Sequence, residues 1–252
     1  MTEMKLQAPV TDAKKPRGLL ITFEGTDGSG KTTQARILAE TLRERGYTVR
    51  TYKFPTTGIS GKLAYAYLNS EINSEALNGY QAASLYLVDM VCYTNEINTA
   101  IENGEIVIVD RYVGSNFYQQ AARSLNLDSF SFVMDLKKFI QEIRTMAYNI
   151  MGIRRPDITF FMEVSSRFSK QIREKDKTRV TKDFHEKDED YLTKVARTAV
   201  LAASIDKWRS IDCDYRTIEE ISNDILTVFD KEVFRLGKYF NPVQNITSSE
   251  EN

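Results

Sequence analysis

The amino-acid sequence predicts a three-layer α/β fold, a parallel β-sheet with helices on both faces. Short apolar runs recur along the 252 residues, separated by segments of helical length. Unbroken apolar runs of this kind are strands buried on both faces, as in a parallel sheet. The first run leads directly into a glycine-rich turn and a helix-forming stretch, the start of a βαβ unit. The last helical segment carries Ile218, Ile221, Ile225, Val228 and Phe229 on one stripe, the apolar face of a docked helix.

Taken in order, residues 1–16 are polar, hold two of the five prolines and show no period, so they read as a flexible tail. Strands are expected at Leu19 to Phe23, Val49 to Phe54, Ile106 to Val109 and Ile158 to Val164, with a weaker one near Arg209 to Ile211. The stretch "TTQARILAETLRERG" forms the first helix and ends at Gly46. Directly after the second strand comes "FPTTGISG" at 54–61, turn-rich and placed where parallel sheets carry ligands. The segment from Arg167 to Asp190 is almost wholly polar with interleaved charges, which suits a solvated helix pair or a mobile cover. Residues 238–252 read as a second flexible tail, leaving 17–237 as one domain.

Composition limits the function. The 34 Lys+Arg against 35 Asp+Glu give a net charge of −1, without the basic bias of a protein that coats nucleic acid. Two cysteines and a single histidine argue against metal chemistry through those side chains. No apolar run approaches membrane-spanning length, and the first residues lack a signal peptide's apolar core, so no membrane association and a cytoplasmic location, or host cytoplasm if viral, are expected.

The run "FEGTDGSGKTTQ" fits the phosphate-loop pattern G-x-x-x-x-G-K-[ST] from Gly25 to Thr32, between a strand and a helix, the context that pattern requires. Gly25, Asp27, Gly28, Ser29, Gly30, Lys31, Thr32 and Thr33 are the candidate residues for ATP. There, backbone N–H groups and the helix amino end would face phosphate oxygens, Lys31 would reach the β- and γ-phosphates, and the Thr32 hydroxyl would ligate Mg²⁺. Past the third strand, Asp110 and Arg111 would project from the same sheet edge. They are either a structural ion pair capping the strand or a metal-holding carboxylate beside a guanidinium that grips a second phosphate. The guanine-reading N-K-x-D of a GTPase is missing from the sequence.

With "FEGTDGSGKTTQ", "YKFP", "DRYVGSN", "RPDITFFMEV" and "WRSIDCDYRTIEEI" in order over roughly residues 17–235, the chain resembles the thymidylate kinases, in their bacterial and phage-like branch. That resemblance implies a five-stranded parallel sheet, phosphoryl transfer from ATP with Mg²⁺ to a pyrimidine deoxynucleoside monophosphate such as dTMP, a mobile lid near 170–188, and a homodimer. It places Asp27 against the sugar of the monophosphate and beside Arg111. Because Gly28 stands where some relatives carry a catalytic arginine, the resemblance moves that charge to the lid, to Arg173 or Arg179. It assigns the acceptor site to Phe54, Pro55, Tyr86, Met90, Arg111, Ser115, Asn116 and Gln120. Catalytic roles fall on Lys31, Arg111, Asp27 and the lid arginine.

The sequence departs from the family pattern in two places. Met90 stands where relatives use an arginine toward the base, and Thr56 and Thr57 follow the Phe-Pro pair where many relatives place an arginine for the monophosphate. Methionine has no hydrogen to donate, so the amides of Asn116 and Gln119 or Gln120 become the candidates for reading the base. Tyr86 and Met90, four residues apart, are also at a spacing compatible with plain core packing. A kinase of a modified deoxyuridylate, a deoxynucleoside kinase and a non-catalytic nucleotide binder remain open alternatives at this point.

Overall fold

The structure, a computed structural model, describes residues 17–73, 76–165, 167–169 and 189–237. The expected tails and the lid expected near 170–188, with Arg173 and Arg179, lie outside the described residues. The chain runs β1 (Leu19–Glu24), α1 (Lys31–Glu44), β2 (Val49–Lys53), α2 (Lys62–Leu68), α3 (Gly79–Glu102), β3 (Ile106–Asp110), α4 (Val113–Ser124), α5 (Phe132–Arg144), β4 (Ile158–Glu163), α6 (Glu189–Ile205), β5 (Arg209–Asp212) and α7 (Ile218–Arg235). Its five strands form one sheet in the order β2-β3-β1-β4-β5, and every pairing is parallel.

The register explains the apolar runs. Leu19 lies opposite Ile106 and Ile21 opposite Ile108, and every residue of β1 and β3 is buried. Successive side chains point to opposite faces. Leu19, Ile21, Phe23, Ile106 and Ile108 therefore join a core with α1 and α7. Leu20, Val107 and Val109 join the larger core with α3, α4, α5 and α6. The outer strands are less covered: β2 buries only Val49 and β5 only Ile211, which is why the fifth strand reads weakly.

Local chemistry sets the helix boundaries. The Asn78 side chain accepts from the Tyr80 and Gln81 amides while the Gln81 side chain reaches back, a capping box that starts α3. Thr217 and Glu220 do the same for α7. α5 runs on into a π-helical stretch, Thr145–Ile150, which the sequence pattern does not announce. The C-terminal ends of all five strands share one edge, and along it lie the phosphate loop, the 54–61 loop and the Asp110-Arg111 turn.

Candidate active site

The phosphate loop crosses from β1 to α1 on glycines in conformations that L side chains avoid. Gly28 and Gly30 both have φ of 81°, and Gly30 caps α1 without a side-chain bond. The first amides of α1 are thus free to face an anion. Gly25 differs from expectation. A Cβ there would come within 2.8 Å of the Met162 carbonyl oxygen and of Ser29 Oγ, and its amide donates to Tyr118 Oη. It supports the loop from behind, whereas Asp27 through Thr33 line a cleft of about 430 Å³.

Lys31 is buried and donates to the Thr26 carbonyl at 2.6 Å. Burial, and then the Arg111 charge, push its ammonium down to about 7, against the pull of Asp27, Asp110 and Glu24. A phosphate arriving in the cleft would reverse that balance. Thr32 Oγ1 donates to Asp110 Oδ2. Lys53 Nζ, at the end of β2, lies 3.3 Å from Thr32 Oγ1 and 3.6 Å from Asp110 Oδ2. Asp110 Oδ1 is buried with no hydrogen-bond partner among the described residues. An orphaned carboxylate oxygen beside a hydroxyl, at the mouth of a phosphate loop, fits a hard cation with oxygen ligands.

Arg111 adopts φ of 64°, an uncommon conformation for a residue with a Cβ. Its amide donates to the Phe23 carbonyl, and its guanidinium forms an ion pair with Asp27. Burial works to lower its pKa, but Asp27, Tyr118, Asp110 and Glu24 raise it on balance, so the guanidinium is always charged. The structure therefore brings Asp27 and Arg111 together across the cleft, 84 residues apart in sequence.

Below this pair lies Glu24, fully buried. Its Oε1 accepts the Tyr112 amide at 2.9 Å, and its Oε2 accepts the Ser115 hydroxyl at 2.6 Å and Tyr118 Oη at 3.3 Å. Ser115, expected at the acceptor, is thus engaged with Glu24, because the first turn of α4 sits over the end of β1. Glu24 acts on α4 from another strand much as a capping carboxylate does.

Among the residues expected at the acceptor, Phe54 is buried against Tyr93 and Tyr112, with ring centroids 5.7 and 6.1 Å away. Tyr86 meets Tyr67 edge-on at 6.1 Å, and both Tyr86 and Met90 belong to the larger core. Asn116 and Gln120 are buried on α4, one turn apart. Gln120 Oε1 has no partner among the described residues.

Several residues escaped the sequence reading. Asp89 on α3 is fully buried and receives Thr56 N, Thr56 Oγ1 and Ser60 Oγ at 2.6–2.7 Å. Phe168, Cys213, Arg216, Ile218 and Ile221 form the far wall of the cleft, past the ends of β4 and β5. Gln34 ties α1 to that wall by donating to the Ile218 carbonyl and accepting from Ser222 Oγ. The signal for this wall was its position after two strands, where ligand loops cluster.

Comparison with known proteins finds similar sequences and a similar fold. The sequence profile of the family described as Thymidylate kinase matches residues 23–225. A thymidylate kinase of Thermosipho melanesiensis (strain DSM 12029 / CIP 104789 / BI429) is 32% identical over 219 residues, covering 82% of this chain and 99% of its own. One of Plasmodium falciparum (isolate 3D7) is 30% identical over 231 residues, covering 90% and 94% respectively. In three dimensions the fold is similar to that of thymidylate kinase from Candida albicans. The TM-score is 0.65 at 22% sequence identity, over 85% of this chain and 92% of that one.

Proposed function

The chain belongs to the thymidylate kinase family, and on that premise we propose that it transfers the γ-phosphoryl group of ATP to dTMP, giving ADP and dTDP. The observation that carries this reading is the ion pair between Asp27 and Arg111. It joins the phosphate loop to a second cationic center in the same cleft, as a reaction between two phosphate-bearing substrates requires. Phosphoryl transfer asks little covalent chemistry of the protein; alignment and cancellation of charge are most of the work.

The α1 amides and Lys31 hold the donor phosphates, with the donor base toward Phe168, Arg216 and Ile218. Thr32 and Asp110 hold Mg²⁺, which when bound neutralizes phosphate charge. Arg111 grips the acceptor phosphate, and Asp27 steadies Arg111 while offering a carboxylate to the sugar hydroxyl. An acceptor phosphate oxygen forms the new bond to the γ-phosphorus as the bond to the β-γ bridging oxygen breaks. Arg173 or Arg179 supplies charge from the lid. Gln120, with its orphaned carbonyl oxygen, and Asn116 read the base: an imide N3–H would satisfy Oε1, which the ring N3 acceptor of cytosine would not.

Coupled ADP release, measured with dTMP, dUMP, 5-hydroxymethyl-dUMP, dCMP and thymidine as acceptors, tests the proposal. The expected result is strong stimulation by dTMP and little by thymidine or dCMP. ADP release indifferent to every monophosphate would end the kinase reading.

A further inference from the structure

We infer that Asp89 is a positioning residue for the acceptor half of the site, its carboxylate fixing the 54–61 loop against α3. Asp89 Oδ2 accepts the Thr56 amide at 2.6 Å, while Oδ1 accepts Thr56 Oγ1 at 2.7 Å and Ser60 Oγ at 2.6 Å. All three donors come from one loop, and the side chain is 0% exposed. Among the described residues its bonding partners are these hydroxyls and this amide, with no cation in ion-pair range. An acceptor-only group with two oxygens suits three converging donors; an amide would turn one donor of its own toward them. Bonds to a charged acceptor are also shorter and stronger than neutral ones.

The clamp acts where the acceptor is expected to lie. The loop begins at Phe54, whose amide donates to the Asp110 carbonyl at 3.1 Å, so one end is tied to the strand that delivers Arg111. Near its other end, Gly61 allows the Thr56 carbonyl oxygen to within 1.8 Å of where a Cβ would stand. Asp89 secures the middle and lies on α3 between Tyr86 and Met90. One carboxylate thereby links the loop carrying Phe54 and Pro55 to the helix turn expected beside the base. In a loop where Thr56 and Thr57 replace the arginine of many relatives, no loop side chain supplies charge to anchor the substrate, so a prearranged wall carries more of the task. Ordering the loop before binding removes that cost from the binding step. The cleft expected to take the donor, by contrast, is lined by the phosphate loop, the start of α1, Lys53, Asp110, Arg111 and the segments after β4 and β5, and Asp89 is not part of that lining.

This inference rests on the monophosphate kinase reading for its kinetic arm, so the experiment carries a second arm that needs no substrate. In Asp89→Asn the KM for dTMP should rise tenfold or more, while the KM for ATP stays within twofold. Thr56→Val should give a smaller rise, and the double variant less than the product of the two, because both remove the same contact. Hydrogen exchange of a peptide spanning 54–61, with no nucleotide present, should accelerate at least tenfold in Asp89→Asn. Should that variant fail to fold, Thr56→Val and Ser60→Ala delete donors from the loop and report the same quantities. Unchanged exchange, or dTMP and ATP constants that shift together, overturns the inference. A wild type that ignores dTMP defeats the kinase reading, and the exchange arm then decides Asp89 by itself.

Discussion

Replacing Glu24 with glutamine should abolish a pH dependence of stability that the wild-type chain carries. The Glu24 carboxyl is wholly enclosed; burial pushes it from 4.5 up to about 7, opposed by the Ser115 and Tyr112 hydrogen bonds and by the Arg111 and Lys31 charges. Between those two values the native state keeps a proton that the unfolded chain has released, so stability falls as pH rises through the window and levels off above about 7. At about 1.4 kcal/mol per pH unit, the loss approaches 3 kcal/mol, on the order of 10 °C in Tm for a domain of this size. The glutamine Oε1 can still accept the Tyr112 amide, and the Ser115 and Tyr118 hydroxyls can rotate to accept from its Nε2. The variant should therefore fold, and its stability relative to wild type should climb from pH 4.5 to pH 8 by about 3 kcal/mol. Urea denaturation of both proteins at half-unit pH intervals measures this. Parallel stability curves would show that Glu24 is not the ionizing group, and a relative gain on going to acid would refute the sign.

Two further substitutions probe the cleft. Asp110→Asn removes the charge next to Thr32, and the Mg²⁺ concentration for half-maximal rate should rise at least tenfold; an unmoved Mg²⁺ titration would remove Asp110 from the metal site. Gln120→Leu deletes a buried oxygen that has no hydrogen-bond partner among the described residues. The free protein should gain about 1 kcal/mol while the KM for dTMP rises several-fold. Denaturation and steady-state kinetics read the two effects separately, and loss of stability without a kinetic change would place Gln120 in the scaffold.

Much of this is legible in the sequence because double burial leaves a plain mark. β1 and β3 are covered on both faces and read as continuous apolar runs, whereas β5, with Ile211 alone buried, is faint. The phosphate loop is legible because glycine, lysine and threonine occur at fixed spacing between a strand and a helix. Asp89 was hidden for the opposite reason. Its partners stand 29 and 33 residues away, and nothing local distinguishes it from a solvated aspartate on a helix. Glu24 is part of a quoted motif, yet its role depends on Tyr112, 88 residues on. Tyr86 and Met90 sit at a spacing that serves core and ligand alike, and the structure places both in the core without ending that overlap. The π-helical stretch after α5 has no sequence counterpart, since nothing in its residues, TMAYNI, marks a change of helical period.

The strand order β2-β3-β1-β4-β5 divides labor across the sheet edge. On the proposed reading, the loops from β1 outward through β4 and β5 build the wall for the nucleotide that gives the phosphate. From β3 outward through β2, on the same reading, they build the side that receives it, while Asp27, Asp110, Arg111 and, at the end of β2, Lys53 line the shared cleft. Changes of acceptor preference can therefore accumulate in the 54–61 loop, α3 and α4 while the donor side stays as it is. A chain with this layout can exchange one partner of the reaction without renegotiating the other.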